Sequence, residues 1–264
     1  MKKIIPKRIR PLLVETYIRF TGLTYRIYRL IYMFIWRGSK YTCPFCGHSF
    51  HKFLPIGFKF KVLKEKKIVG GGYRKNAICP FCSSSDRERL VYIFLKSNNL
   101  LKPRMRIFHV APERNLQKKI SEAGMEYFSA GLSNSLANIR MDIQNIKFPS
   151  NYFDAIICIH VLEHIVHDEK AMRELYRVLK PEGWAILQVP YSPIMENTFE
   201  NPLITGPKER EKVFGQADHV RIYGRDYQKR LQSVGFSVKQ EKADVNSIKN
   251  FALNPDEIIF FCHK

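Results

Sequence analysis

The sequence has no long hydrophobic run. Its longest uninterrupted apolar stretch, Leu30 to Trp36, has seven residues, whereas a helix that spans a membrane needs about 20. The basic opening MKKIIPKRIRPLLVE is not followed by an apolar segment that ends in a small-residue cleavage site, so it lacks the pattern of a secretory signal. We therefore expect a cytoplasmic protein.

Acidic residues are scarce in the first part of the chain. Residues 1–103 contain 22 Lys and Arg but only 4 Asp and Glu, which gives +18 of the total net charge of +20. Residues 104–264 have a net charge of only +2. A partner that is attracted by charge should therefore bind the first part of the chain. The full length of 264 residues allows one domain of ordinary size and a small accessory module.

Residues 15–37 have a helical pattern with one charged arc and a wide aromatic-rich face. They predict a basic amphipathic helix within an N-terminal segment of residues 1–40. The sequence leaves three interpretations of its apolar face open. The face packs on the rest of the protein, lies on the inner face of an anionic membrane, or binds nucleic acid. Peripheral membrane association is our hypothesis, and nucleic acid is the less favoured partner.

Cysteine is rare, and four of the six cysteines form two Cys-Pro-Phe-Cys units. Cys43 and Cys46 are separated from Cys79 and Cys82 by 32 residues, a spacing typical of a zinc ribbon with a closed, structural Zn²⁺. A redox-active dithiol would instead require one Cys-x-x-Cys at the start of a helix in a thioredoxin-like unit. We predict a zinc ribbon over residues 41–85, with a basic hairpin and a glycine-rich turn between the two cysteine pairs.

A Ser-Asp-Arg-Glu sequence follows the ribbon. Ser85 and Glu88 have the spacing of a capping box, which predicts that a linker helix begins here within residues 86–103. From residue 104 the pattern changes to alternating apolar strands and amphipathic helices, as in a doubly wound α/β sheet. The predicted strands cover residues 106–111, 126–130, 139–143, 154–160, 184–189, 236–242 and 258–263, and the predicted helices cover 116–123, 168–179 and 225–234.

One block of this region carries a specific resemblance. The sequences FPSNYFDAIICIHVLEHI and RELYRVLKPEGWAILQVP resemble the fourth and fifth strands of class I S-adenosylmethionine-dependent methyltransferases. The chain is especially similar to a bacterial subgroup in which a zinc ribbon precedes this domain and FGQ-x-DHVR-x-YG follows it, here at residues 214–224. The resemblance implies a Rossmann-like seven-stranded methyltransferase sheet over residues 104–264, with helices on both faces and an antiparallel last strand.

The resemblance also implies where S-adenosylmethionine would bind. The matching positions lie at or just beyond the carboxyl ends of the first four strands: His109, Ala111, Glu113, Gly131, Asp142, Ile143 and His160. Two of them depart from the usual pattern. The chain has Pro112 and Glu113 in place of a glycine-rich turn, so that Glu113 either faces the cofactor's ammonium group or only caps a helix. Gly131 replaces the acidic residue that usually binds the ribose, and Ser133 or Asn134 would have to substitute for it.

The second motif supplies candidate acid–base groups for methyl transfer. Asp218 and His219 lie between the fifth strand and the next helix, where class I enzymes build acceptor pockets, and we predict them as the catalytic residues. His164 is more simply explained as shaping the site, and Arg221 either binds an anionic acceptor or pairs with an acid. The predicted function is methyl transfer to an unidentified acceptor, with the ribbon and the N-terminus used for targeting. The alternative is a zinc-containing scaffold whose methyltransferase fold is not catalytic.

Overall fold

We analysed a computed structural model, which describes residues 30–132 and 136–264. Most of the predicted N-terminal helix, residues 15–29, lies outside the described residues. Residues 30–35 are helical, but strand β1 begins at Arg37, so the predicted helical segment of residues 1–40 extends too far. The reason is that β1 (Arg37–Thr42) pairs antiparallel with β2 (Ser49–Phe50). No helix in the described ranges is long and apolar enough to cross a membrane.

The segment between the two cysteine pairs is not the simple hairpin that was predicted. Strands β3 (Leu54–Ile56) and β4 (Arg74–Ile78) do pair antiparallel, but the chain between them forms a helix, α1 (Lys61–Glu65). The helix forms because Leu63 is buried in a cluster with Phe214, far along the sequence. This long-range contact outweighs the alternating pattern of the residues around it.

Helix α2 (Asp86–Ser97) begins as predicted. The Ser85 hydroxyl accepts a hydrogen bond from the Glu88 amide at 3.1 Å, and the Glu88 carboxylate accepts one from the Ser85 amide at 2.8 Å. This reciprocal pair satisfies two of the amides that a helix start leaves free, so the predicted capping box is confirmed.

The remainder of the chain forms the expected seven-stranded sheet. Its spatial order is β12-β13-β9-β8-β5-β6-β7, and β13 is antiparallel to both of its neighbours. The other pairings are parallel, so the predicted sheet with an antiparallel last strand is confirmed. The strands are β5 (Arg106–Val110), β6 (Glu126–Gly131), β7 (Ile139–Arg140), β8 (Phe153–Ile159), β9 (Leu179–Gln188), β12 (Ser237–Glu241) and β13 (Ile259–His263).

Helices cover both faces of this sheet, and the two faces have separate cores. Alternate residues of β8 belong to different clusters: Ile156 lies in one with Met172, and Ile157 lies in the other with Leu116. Such burial on both faces is typical of parallel strands. The helices are α3 (Arg114–Glu122), α4 (Asp168–Val178), α5 (Pro207–Phe214), α6 (Tyr227–Ser233) and α7 (Val245–Phe251), and two short strands, β10 (Phe199–Glu200) and β11 (Arg221–Ile222), form a separate pair.

A buried arginine joins the cysteine region to the end of the chain. The Arg89 side chain is fully buried, and its guanidinium donates to five backbone carbonyls, those of Asn76, Ala77, Ser84, Phe251 and Ala252. A buried guanidinium is tolerated only when its donors are satisfied in this way. Arg89 therefore fixes the second cysteine pair against helix α7.

Candidate functional site

The carboxyl ends of β5, β6 and β8 surround a cavity of about 490 Å³. This is the edge at which doubly wound sheets bind ligands, and the volume lies in the range of small-molecule sites. Of the predicted cofactor-binding and catalytic residues, six line it, as does His164: Ala111, Gly131, Asp142, Ile143, His160 and Asp218. Three others, His109, Glu113 and His219, do not.

The chain leaves β5 and β8 in a similar way at this edge. Ala111 and His160 each follow directly after a strand, and they have positive φ angles of 48° and 54°. Their amides bond to the neighbouring strands, Ala111 to the Ala130 carbonyl at 2.7 Å and His160 to the Gln188 carbonyl at 2.8 Å. Side chains other than glycine rarely adopt this conformation, and it is found preferentially at functional sites. Both residues face the cavity.

Glu113 interacts with His109, another of the predicted residues outside the cavity. Its carboxylate lies 2.9 Å from Nε2 of the buried His109, whose Nδ1 lies 3.0 Å from the Tyr127 hydroxyl. Glu113 occupies the N-cap position of α3 but makes no side-chain cap hydrogen bond. The explanation that it only caps the helix is therefore wrong, because its side chain pairs with His109 instead.

Asp142 follows β7 and is held by a local turn. Its carboxylate accepts a hydrogen bond from the Gln144 amide at 2.9 Å and lies 3.2 and 3.3 Å from the Gln144 side-chain nitrogen. A carboxylate has about four acceptor positions, so Asp142 retains capacity for a ligand in the cavity. Gly131, at the end of β6, offers no side chain, and Ser133 and Asn134 lie outside the described residues.

His160 is a neutral, almost buried imidazole. Its pKa is lowered to about 3, mainly by burial and also by the positive charge of Arg87. Its Nε2 lies 4.0 Å from a carboxylate oxygen of Glu257, and burial raises the pKa of Glu257 to about 7. Glu257, near the start of β13, was not singled out from the sequence, because nothing local places it beside β8.

The two predicted catalytic residues differ in exposure and in partners. The side chain of Asp218 is 66% exposed, and its Oδ2 lies 3.2 Å from Nδ1 of His164. His219 does not line the cavity and is only 8% exposed, with Nε2 3.9 Å from Oε1 of Glu163. Burial and the neighbouring His164 lower the pKa of His219 to about 4, so its imidazole is neutral at pH 7. Their catalytic role stays a prediction.

Arg221 has a different role from binding a free anion. It is 3% exposed and donates to the carbonyls of Leu162, Ile165 and Val166, and its Nε lies 2.8 Å from the Glu200 carboxylate. Of the two roles left open by the sequence, pairing with an acid is the one observed. Arg221 thereby holds the segment after β8 in place.

The four cysteines of the two pairs come together. Their sulfur atoms all lie within 4.8 Å of one another, with 3.5 Å between Cys43 and Cys82 and 3.8 Å between Cys46 and Cys79. Four thiolates bonded tetrahedrally to zinc at about 2.3 Å would be about 3.8 Å apart. The residues therefore fit a closed four-thiolate metal site.

The two cysteine turns have the same backbone pattern. The amide of Gly47 bonds to the Cys43 carbonyl and that of Ser83 to the Cys79 carbonyl. Both Gly47 and Ser83 have left-handed φ angles, 73° and 62°. The first pair thus turns through a left-handed glycine, and the second pair repeats this turn with a serine.

Comparison with known proteins agrees with this fold. Residues 111–187 match the family model described as a methyltransferase domain, a range that contains Ala111, Glu113, Gly131, Asp142, Ile143 and His160. Together with the strand order, this match confirms the resemblance to class I S-adenosylmethionine-dependent methyltransferases.

Two curated relatives each match a short part of the chain. A sterol 24-C-methyltransferase of Gibberella zeae is 35% identical over 75 residues, which are 28% of this chain and 20% of that protein. A ubiquinone/menaquinone biosynthesis C-methyltransferase of Yersinia enterocolitica is 32% identical over 66 residues, 25% of this chain and 26% of the relative. The chain thus spans about a quarter or less of the length of these relatives.

Solved structures of similar proteins are more distant. A 1,6-didemethyltoxoflavin-N1-methyltransferase of Burkholderia thailandensis, solved with S-adenosylhomocysteine, has a TM-score of 0.45 and 12% identity and covers 66% of this chain and 75% of that one. An S-adenosylmethionine-dependent methyltransferase of Mesorhizobium loti has a TM-score of 0.44 and 13% identity, covering 66% and 97%. At these values the fold assignment rests on the strand order.

Proposed function

We propose that the sheet domain binds S-adenosylmethionine and transfers its methyl group to an acceptor. The observation that carries this proposal is the cavity at the carboxyl ends of β5, β6 and β8, lined by residues that the family resemblance had assigned to the cofactor. A sheet of this order without such a cavity would support the scaffold alternative instead.

The lining residues suit the two ends of the cofactor. Asp142 would offer carboxylate oxygens to the adenine amino group, and the buried Ile143 would offer apolar surface to the ring. Ala111 and His160 border the part of the cavity where the methionine portion would lie. Because the imidazole of His160 is neutral, it does not repel the positive sulfonium.

Gly131 limits the expected affinity. An acid at this position would accept hydrogen bonds from both ribose hydroxyls, and losing them costs about 1–3 kcal/mol. We therefore expect this chain to bind S-adenosylmethionine with an affinity at least roughly tenfold lower than that of a protein with an acid at this position. Binding itself should not be lost.

Calorimetric titration of the full chain with S-adenosylmethionine and S-adenosylhomocysteine tests the proposal. We expect saturable binding of both at one site per chain. Absence of binding at millimolar cofactor would overturn the enzyme assignment and favour the scaffold alternative.

We further propose that Cys43, Cys46, Cys79 and Cys82 hold a structural Zn²⁺, and that the basic front of the chain targets the enzyme. The sulfur geometry supports the metal, and the net charge of residues 1–103 supports an anionic partner. Co-sedimentation of the full chain with anionic and with neutral liposomes tests the membrane role. Equal recovery with both lipids would overturn it, and a salt-dependent shift of RNA would point to nucleic acid instead.

A further inference from the structure

Glu163 is a buried carboxylate whose environment needs an explanation. Its side chain is 1% exposed, and neither of its oxygens has a hydrogen-bond partner among the described residues. A buried carboxyl group without hydrogen-bond partners is unfavourable, and such groups in native proteins mark a catalytic function or an unseen ion or water.

Three imidazoles surround this carboxylate. Oε1 of Glu163 lies 3.3 Å from Nδ1 of His160, 3.9 Å from Nε2 of His164 and 3.9 Å from Nε2 of His219. Glu163, His164 and His219 each present one ligand atom, and these atoms lie within 4.8 Å of one another. The rings of His164 and His219 are packed edge to face, 4.7 Å apart.

We propose that Glu163, His164 and His219 bind a divalent transition-metal ion, separate from the cysteine site. Two imidazoles and one carboxylate are a donor set of catalytic zinc sites and of non-haem iron sites. Ligand atoms bonded at about 2.0–2.2 Å are about 3–3.5 Å apart around such an ion. The observed 3.9 Å distances differ by a few tenths of an ångström, which side-chain rotation can supply.

Nε2 of His164, which faces Glu163, is available because the opposite nitrogen is engaged. Nδ1 of His164 lies 3.2 Å from the Asp218 carboxylate. Metal-binding histidines almost always have such a partner on the other nitrogen, which fixes the ring orientation. Asp218 is thus a positioning residue for His164.

The two segments that carry the ligands are held together by the backbone. The amide of Val220 donates to the Glu163 carbonyl at 3.0 Å, and Arg221 donates to three carbonyls of residues 162–166. The cluster is therefore built from two loops that are already fixed, and little ordering is needed when an ion binds.

The site has an open side. His164 and Asp218 line the cavity together with His160, so an ion held by three protein ligands would have a free coordination position towards the space where an acceptor would lie. This arrangement differs from the closed four-thiolate site, and it gives His219 the role of a ligand in place of the predicted base.

Metal analysis and Co²⁺ titration of the full chain, without S-adenosylmethionine, test the proposal. We expect about two metal equivalents per chain, one from each site. Co²⁺ at the cysteines gives intense thiolate charge-transfer bands, whereas Co²⁺ at the second site adds only weak visible bands, because no thiolate binds there.

Glu163→Gln and His219→Ala should each remove the second equivalent and leave the thiolate bands unchanged. Asp218→Asn should weaken second-site binding by about 10–100-fold. The matched control is His167→Ala, which removes an exposed histidine outside the cluster and should retain both equivalents. Retained thiolate bands and an unchanged circular dichroism spectrum show that the variants are folded.

The proposal is wrong if the wild-type chain takes up only the thiolate-bound equivalent, or if folded Glu163→Gln and His219→Ala variants keep the second. Because the assay contains no cofactor, its failure is distinguishable from a failure to bind S-adenosylmethionine.

Discussion

Gly70 lies directly against His160. A Cβ atom added to Gly70 would come within 2.7 Å of Cε1 of His160 and 3.3 Å of a Glu257 oxygen. The preceding residue, Val69, forms a bridge with Tyr191 through two backbone hydrogen bonds. The chain between the two cysteine pairs therefore packs against His160, a residue that lines the candidate cofactor site.

Gly70→Ala should weaken cofactor binding. The new methyl group would displace His160, and the left-handed φ of 86° at this position would cost roughly 1–2 kcal/mol of stability. We expect about a tenfold loss of affinity for S-adenosylhomocysteine, measured by calorimetry. Gly71→Ala is the matched control, because its nearest contacts, 3.4 and 3.5 Å from Ile68 and Leu63, are ordinary. Equal affinities of the two variants would contradict this prediction.

Asp142→Ala should weaken cofactor binding without unfolding the domain. Loss of a charged acceptor costs about 1.5–3 kcal/mol, roughly a tenfold to hundredfold change in the dissociation constant. The control is Asp154→Ala at the opposite end of the sheet, where the carboxylate bonds to Lys180 at 2.6 Å. That variant should lose stability and keep its affinity. A normal affinity of Asp142→Ala would remove this residue from the cofactor site.

Cys46→Ser should lower the metal content by about one equivalent and the midpoint of thermal unfolding. The cluster supports a small core that contains Phe50 and Phe53, too little to be stable alone. Cys262→Ser, in the buried part of β13, should keep the full metal content even where it lowers stability. The prediction fails if Cys46→Ser retains the metal.

Glu257→Gln should change the pH dependence of stability. Because burial raises the pKa of Glu257 to about 7 from 4.5, the folded chain holds this proton in a range where the unfolded chain has lost it. This group therefore makes the free energy of unfolding fall as the pH rises from about 4.5 to about 7. Glu257→Gln does not titrate, so its free energy of unfolding does not fall for this reason. The stability of the variant relative to wild type should therefore increase from about pH 4.5 to about pH 7.

Chemical denaturation at a series of pH values measures this effect. The same substitution at the exposed Glu196 corrects for the removal of one carboxylate from the chain. A stability difference between Glu257→Gln and wild type that does not vary between pH 5 and 7 would contradict the prediction.

The sheet and the cysteine turns were predictable because their signals are local. The apolar run of β8, the Ser85–Glu88 cap and the two Cys-Pro-Phe-Cys turns each specify a structure within a few residues. Helix α1 was missed, because the contact of Leu63 with Phe214 is invisible in the local pattern. The grouping of Glu163 with His219 depends on a fold that joins segments more than 50 residues apart.

The five carbonyl partners of Arg89 become available at different times during synthesis of the chain. The carbonyls of Phe251 and Ala252 leave the ribosome long after Arg89 itself. Until they arrive, this guanidinium lacks two of the acceptors that make its burial tolerable. The cysteine region therefore completes its packing only after residues 251 and 252 have been synthesised, and a chain that stops before them should leave this region more open to proteases.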